Sequence, residues 1–156
     1  MAAIYETAYP RIKPNLTHKE LREIFTPQEE EISLLNSKTK TSLLVTRLGF
    51  MLLLKYYQYL GRPINLQNID TPIKKYVAES LGIDHTLDLC RYNKLTRHRH
   101  IKVIREYLQI NNDKKSRRQI MKRVALDAAT TKENLADIIN CVIDELIKSK
   151  FELPSF

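Results

Sequence analysis

Apolar residues recur every three to four positions along most of this chain, which is the spacing of one buried face of an α-helix. The stretch from Leu43 to Leu60 is apolar in nearly every direction, so we predict a central helix that other helices cover. Gly61 is predicted to end this helix, and Tyr56, Tyr57 and Tyr59 are predicted to lie in the core. Only three glycines and six prolines interrupt 156 residues, which favours long regular elements over short strands. The pattern predicts an all-α fold, a helical bundle of about seven to eight helices.

Capping signals give the bounds of the other helices. Thr17 and Glu20 have the spacing of a capping box that starts the first helix. Thr26 followed by proline predicts the start of the second helix, and Thr130 with Glu133 predicts the start of the last. The segments between them predict helices over 72–81, 85–92, 95–108 and 114–129.

Three of these predicted helices follow one another closely. They run from Pro72 to Leu81, from His85 to Tyr92 and from Leu95 to Leu108, and the last two are joined by a very short turn. This arrangement predicts a helix-turn-helix-like three-helix unit, in which the final helix would lie in the major groove of DNA. Short helix pairs also occur in plain bundles, so the spacing alone leaves both possibilities open.

Positive charge is concentrated in one part of the chain. The segment from Arg91 to Arg123 carries a formal charge of +10, whereas the whole chain carries +8 and the remainder therefore −2. Concentrated positive charge favours a polyanionic partner such as a nucleic acid. The alternatives are an ordinary solvated helix face and an acidic protein partner.

A helix over Lys94 to Leu108 would have an apolar side and a basic side. Arg97 and His100 lie nearer the apolar side, although Arg97 stands in the first turn and could point past the core. Arginine can hydrogen-bond guanine with two donors, and any cationic side chain can neutralise a phosphate. The candidate DNA-binding residues in and before this helix are Arg91, Lys94, Thr96, Arg97, His98, Arg99, His100, Lys102 and Arg105.

A second basic stripe is predicted on the helix that follows. Lys115, Arg118 and Lys122 are spaced three and four residues apart, so they share one outer face of a helix that Asp113 caps. This face suits phosphate contacts and offers little base-specific chemistry, so we add these three residues to the candidate DNA-binding set.

We find no constellation of residues that predicts catalysis, a metal site or a cofactor. His98 and His100 are two apart and point in different directions on a helix, which makes them a poor pair of metal ligands. Cys90 and Cys141 are predicted to be reduced core residues, which together with the absence of a secretory signal suggests the cytoplasm. Charged residues interrupt the central helix, so no membrane span is expected.

Met1 to Asn15 contains two prolines four positions apart and no stable helical period, so residues 1–15 are predicted to form an irregular N-terminal arm. We expect this arm to be loosely held, as chain termini usually are. It could instead wrap the domain or reach a phosphate. Residues 16–156 form the predicted helical DNA-binding domain.

Four segments of the chain, between about Pro27 and Pro154, form a recognisable series. They are Leu48–Leu54 with Tyr59–Gly61, Tyr76–Ala78 with Leu81–Ile83, Tyr92 with Thr96–His100 and Ile104–Glu106, and Leu153-Pro154. In this order the segments resemble the N-terminal domain of the Tn-three-family transposases of replicative transposons.

This resemblance implies a module that binds double-stranded DNA and recognises the terminal inverted repeats of the transposon. It implies that strand-transfer chemistry belongs to a distant C-terminal domain, so that this chain is a fragment of a larger transposase without activity of its own. The implied partners are transposon ends, the remainder of the transposase and, through self-association, a second copy. The implied location is the bacterial cytoplasm near the nucleoid. The alternatives left open are a protein-interaction module of the transposase and an RNA-binding helical module.

Overall fold

A computed structural model describes residues 7–40 and 42–154, and predictions that fall on residues 1–6, 41 and 155–156 lie outside this range. The described residues form seven α-helices and two short 3₁₀ turns and contain no β-strand, which confirms the all-α prediction. The helices are α1 (His18–Phe25), α2 (Glu29–Thr39), α3 (Leu44–Leu60), α4 (Thr71–Leu81), α5 (Lys94–Leu108), α6 (Lys114–Ala129) and α7 (Leu135–Lys148).

The described chain divides into two compact units. One comprises Lys13–Ile104 and is called the α3 unit, and the other comprises residues 7–12 and 105–154 and is called the α6–α7 unit. Helix α5 begins in the α3 unit, and its last four residues belong to the α6–α7 unit. None of the described helices is long and apolar enough to cross a membrane.

Helix α3 is the centre of its unit, as its sequence predicts. Every residue from Leu48 to Tyr57 is buried, and α1, α2 and α4 all contact this helix. The helix ends at Gly61, whose left-handed backbone (φ 72°) lets its N–H donate to the carbonyl of Tyr57. A side chain at this position would strain that conformation, so the predicted glycine stop is confirmed.

A buried ion pair ties α2 to α3. The Glu31 carboxylate and the Lys55 ammonium are 1% and 5% exposed, and their nearest atoms are 3.2 Å apart. The same carboxylate accepts hydrogen bonds from the Gln58 side chain at 2.6 Å and from the Gln28 backbone N–H at 2.7 Å. Four donor–acceptor contacts therefore replace the water that both charges lose, and one of them caps the start of α2.

Two helices start later than predicted, because the predicted capping hydroxyls serve other carbonyls. The Thr26 hydroxyl donates to the carbonyl of Arg22 at the end of α1, and α2 starts at Glu29 with Gln28 as its N-cap. The Thr130 hydroxyl donates to the carbonyl of Asp127 and closes α6. Helix α7 consequently starts only after Asn134, whose side chain accepts the backbone N–H of Ala136.

The predicted α-helix from His85 to Tyr92 is wrong. Asp84 accepts the backbone N–H of Thr86, and Asp88 accepts that of Cys90, both at 2.9 Å. Such local hydrogen bonds offer the backbone an alternative to the helix ladder, and only a three-residue 3₁₀ turn forms. These bonds also hold the pKa values of both carboxyl groups below their usual range. The three-helix unit predicted from the sequence therefore lacks its second α-helix.

Two smaller predictions about buried residues also need correction. Cys90 is exposed and Cys141 is half-buried, so Cys90 is not a core residue. In the tyrosine cluster of α3, Tyr56 and Tyr57 are buried as predicted, whereas Tyr59 is 38% exposed.

The α6–α7 unit has its own small core. Its buried residues come from α7, from the chain after it and from the arm: they are Tyr9, Val142, Ile143, Leu146, Phe151 and Leu153. Tyr9 is 3% exposed and its hydroxyl donates to the carbonyl of Pro154 at 2.7 Å. The described part of the arm is thus anchored at Tyr9, contrary to the expectation that it is loosely held.

The ion pair makes a prediction about stability. Lys55→Met should lower the free energy of unfolding by about 3–5 kcal/mol, because it leaves the buried Glu31 carboxylate without its counter-charge. The double variant Glu31→Gln with Lys55→Met should be less destabilised, since glutamine still accepts from Gln28 without a charge. Urea denaturation measures both.

The control is the exposed pair of Lys75 and Glu79, whose charged atoms are 4.0 Å apart on the surface of α4. Lys75→Met should change the free energy of unfolding by less than about 1 kcal/mol. An equal effect of Lys55→Met and Lys75→Met would show that burial of the first pair adds nothing.

Candidate nucleic-acid interface

Helix α5 starts at a fixed point. The Asn93 side chain accepts the backbone N–H of Leu95 at 2.7 Å, and its carbonyl accepts that of Arg97 at 2.8 Å. Asparagine is a preferred capping residue because its side-chain oxygen replaces the missing carbonyl of a preceding turn. The first turn of α5 is therefore well defined, and so are the directions of its side chains.

The inner side of α5 is fixed to α3 by an aromatic and histidine cluster. The Tyr92 hydroxyl and the His100 Nδ1 share a buried hydrogen bond, and the His100 ring stands edge-on to Phe50 with ring centres 4.9 Å apart. Gly49 lies directly beneath Tyr92, since a Cβ there would come within 3.0 Å of the tyrosine ring. We call Gly49, Phe50, Tyr92 and His100 the α5 anchor.

His100 was predicted to face DNA, but the structure places it in this anchor. Its side chain is buried, and burial lowers the pKa of the imidazole to about 4. Burial also raises the pKa of Tyr92 above its usual range. His100 is therefore an uncharged core residue at neutral pH, and we leave it out of the candidate interface. The helical pattern had already placed it nearer the apolar side.

Two predicted arginines also bind within the protein. An Nη atom of Arg97 donates to the backbone carbonyl of Ile64 at 2.6 Å. In the α6–α7 unit, Arg105 forms an ion pair of 2.9 Å with Glu152, and both side chains are mostly buried. Both guanidinium groups hold the fold together, so we leave Arg97 and Arg105 out of the candidate interface.

The outer side of α5 in the α3 unit carries exposed basic residues, which we call the α5 face: Lys94, His98, Arg99 and Lys102. In the part of the chain that the structure describes, no carboxylate lies within ion-pairing distance of them. Thr96 is half-buried at the edge of this face, and Arg91 is exposed just before the helix. The structure thus brings together four of the nine residues predicted in this region.

The second predicted stripe is exposed as well. Lys115, Arg118 and Lys122 all lie on the outer side of α6, and we call them the α6 stripe. Asp113 caps this helix by accepting the backbone N–H of Lys115 at 3.1 Å. The neighbouring Arg117 points inward, where it donates to the carbonyl of Glu152 at 3.0 Å.

Both helices begin with cations where a helix favours anions. Neither α5 nor α6 has an acidic residue in its first turn, and they start with Lys94 and with Lys114 and Lys115. By contrast, α2 begins with three glutamates. The N-terminal end of a helix carries a partial positive charge, so each added lysine is electrostatically unfavourable by some tenths of a kcal/mol. The Asp113 carboxylate offsets part of this repulsion at the start of α6, whereas a phosphate would relieve it at the start of α5.

Leu95 belongs to the exposed side of α5, although the charge pattern of the sequence did not indicate it. Leu95 is 69% exposed, and it lies on the α5 face among the basic side chains. Its position on the helical wheel, about 20° from Lys102, was available from the sequence. Two more exposed leucines, Leu43 and Leu44, line a cleft of about 480 Å³ together with Arg91. This cleft is formed by segments that are more than 40 residues apart in the sequence, so local spacing could not predict it.

No group of three metal-ligating side chains occurs among residues 7–40 and 42–154. The histidines of α5 illustrate why, since His98 is exposed and His100 is buried on another side of the helix.

The chain belongs to the family described as Domain of unknown function (DUF4158), whose sequence profile matches residues 1–156. No curated protein and no solved structure shows significant similarity to it. The description of this family assigns no activity to its members.

The buried histidine predicts a pH dependence of stability. In the unfolded chain His100 takes up a proton near pH 6.5, but in the folded protein it does so only near pH 4. Between these values the unfolded state binds more protons, so the free energy of unfolding should fall as the pH drops, by up to about 1.4 kcal/mol per pH unit. Urea denaturation at pH 7, 6, 5 and 4.5 measures the slope.

His100→Asn removes this titration and should flatten the slope, whereas His98→Asn, at an exposed position of the same helix, should leave it unchanged. The interpretation of His100 as a neutral core residue fails if His100→Asn and the wild type have the same slope.

Proposed function

We propose that this chain is the DNA-binding module of a Tn-three-family transposase and that it recognises the terminal inverted repeats of its transposon. The α5 face is the proposed contact with base edges, and the α6 stripe is the proposed contact with phosphates. The observation that carries the proposal is the α5 face itself. Its exposed basic residues have no carboxylate partner among the described residues, on a helix whose other side is firmly anchored.

The resemblance to the transposase family supports the proposal, because residues from two of the matching segments contact each other in the structure. Gly49 and Phe50 come from one matching segment, and Tyr92 and His100 come from another. These four residues form the α5 anchor. Two segments that resemble the transposase family therefore meet at the place that determines which side of α5 faces outward.

The chemistry of the two surfaces suits different parts of a duplex. Arg99 can donate two hydrogen bonds to the O6 and N7 atoms of guanine, which is the commonest specific contact in the major groove. Lysines on the α6 stripe neutralise phosphates, which adds affinity without selecting a sequence. Such a module would act in the bacterial cytoplasm on transposon ends and would leave strand transfer to another part of the transposase.

A protein-interaction module is the second candidate, because the α6–α7 unit has an apolar groove. This groove of about 420 Å³ lies between α6 and α7, with Leu135 and Ile138 on one wall and Met121 and Ala125 on the other. An apolar groove of this kind suits an amphipathic segment of a partner protein. If the chain is a protein-interaction module, it should bind DNA weakly and without sequence preference.

The deciding experiment is fluorescence anisotropy on three probes across a salt series. The probes are a duplex of the transposon's terminal inverted repeat, a scrambled duplex of equal composition and an RNA hairpin. We expect the tightest binding to the repeat and a steep loss of affinity with salt. Equal binding to both duplexes would reduce the surface to a non-specific anchor. Preference for the hairpin would favour an RNA-binding module. Absence of binding to all three probes would favour the protein-interaction module.

The α5 face makes a specific prediction. Arg99→Ala should weaken binding to the repeat by about 1–3 kcal/mol and reduce the preference over the scrambled duplex, because a base contact is lost. Arg97→Lys serves as the comparison, since Arg97 donates to Ile64 and should affect stability more than sequence preference. Anisotropy on both duplexes and urea denaturation separate the two effects. An equal loss on both duplexes would make Arg99 a phosphate contact.

The α6 stripe predicts a change in salt dependence. Each of Lys115→Gln, Arg118→Gln and Lys122→Gln should weaken binding to both duplexes evenly and flatten the slope of log K against log salt by about one unit. Lys38→Gln, at an exposed position of α2, should leave the slope unchanged. Unaltered slopes in all three stripe variants would place α6 away from the DNA.

A further inference from the structure

Leu95 is an exposed apolar side chain among the basic residues of the α5 face. It is the second residue of α5 and is 69% exposed. Successive helical residues are about 100° apart, which places Leu95 about 20° from Lys102 and about 40° from Arg99 around the helix axis. The leucine therefore points in the same direction as the basic residues of the α5 face.

The fold does not use this side chain. The helix is capped through the backbone N–H of Leu95, which donates to Asn93, and not through its side chain. Packing against the core is done by Ile101 and Ile104, which are buried on another side of α5. An outward leucine at this position therefore has no structural role among the described contacts.

The surroundings of Leu95 restrict what it could contact. Phosphates and sugars suit the neighbouring cations but offer a leucine no apolar group of comparable size. A protein partner would favour a contiguous apolar patch, whereas the neighbours of Leu95 on the α5 face are charged. In the major groove of DNA, the 5-methyl group of thymine is the apolar group on the base edges, and it lies beside the acceptors that cations recognise.

We infer that Leu95 is a specificity-determining residue that contacts the 5-methyl group of a thymine in the recognised sequence. This inference rests on the proposed function, since it requires α5 to enter the major groove. It adds a discrimination that the basic residues do not supply: uracil lacks the methyl group, so the contact also favours DNA over RNA of the same sequence.

The first turn of α5 is held firmly enough for such a contact. Asn93 caps it, Arg97 is tied to the carbonyl of Ile64, and Tyr92 with His100 fixes the inner side one turn later. Because the backbone of this turn is already fixed, only the rotamers of the Leu95 side chain remain to be ordered on binding.

The test removes the methyl groups from the DNA and the leucine from the protein. A duplex is first selected by the wild-type chain from a randomised library, and a second duplex of the same sequence carries deoxyuridine in place of every thymine. Wild type should bind the deoxyuridine duplex at least about fourfold more weakly, which corresponds to one buried methyl group. Leu95→Ala should lose a similar factor on the thymine duplex and be less sensitive to deoxyuridine than the wild type.

Two further variants serve as controls. Leu95→Met keeps an apolar side chain of similar volume and should retain most of the discrimination. Leu126→Ala removes another exposed leucine (62%) beside basic residues, at the far end of α6, and should leave the discrimination unchanged. Thermal denaturation of Leu95→Ala should match the wild type, because the side chain is exposed.

The outcomes separate the inference from the function on which it rests. If the library yields no enriched sequence, the proposed sequence-specific binding fails and the inference fails with it. If a sequence is enriched but Leu95→Ala and the wild type lose the same factor on the deoxyuridine duplex, the proposed function stands and the role of Leu95 is wrong.

Discussion

The contact between Tyr92 and Gly49 is the constraint on which the candidate interface depends. The tyrosine ring occupies the space that any other residue at position 49 would fill with its Cβ. With the ring in that place, its hydroxyl meets His100, and His100 in turn lies against Phe50. Because a helix turns as a rigid unit, an inward His100 requires an outward Lys102. The basic face of α5 is thus set by apolar and aromatic packing, although charge is its visible property.

Buried and exposed charges of the α3 unit differ in whether they have a partner of opposite charge. The buried Glu31 and Lys55 have each other and two further donors, so no charge there lacks compensation. The exposed cations of the α5 face lack a carboxylate partner among the described residues, and Lys94 also stands at the positive end of its helix. Solvent tolerates this arrangement at a small energetic cost, and a bound phosphate would turn that cost into stabilisation. The contrast favours an external anion as the missing partner.

Local rules predicted much of the fold, and competition between local rules explains what they missed. The capping box of α1, the glycine stop of α3 and the Asp113 cap of α6 all appear in the structure. The segment after Asp84 failed because two aspartates bind their own backbone in preference to a helix. The burial of His100 depends on its contact with Phe50, fifty residues earlier in the sequence. The helical wheel therefore indicated only that His100 lies near the apolar side of α5. The outward direction of Leu95 could be predicted from the helical wheel. Its importance could not, because it depends on which of the neighbouring cations are exposed in the structure.

Under the proposed function, the missing second helix changes how α5 would be presented to DNA. In a helix-turn-helix unit, a preceding helix braces the one that enters the groove. Here the residues before α5 form a 3₁₀ turn, and the bracing comes from Gly49 and Phe50 of the central helix α3. A long buried helix is a stiffer support than a short exposed one, because its position is determined by packing along its whole length. The docking geometry of this module should therefore follow from α3, and a substitution in the α5 anchor should disturb recognition even though none of its residues is proposed to contact DNA.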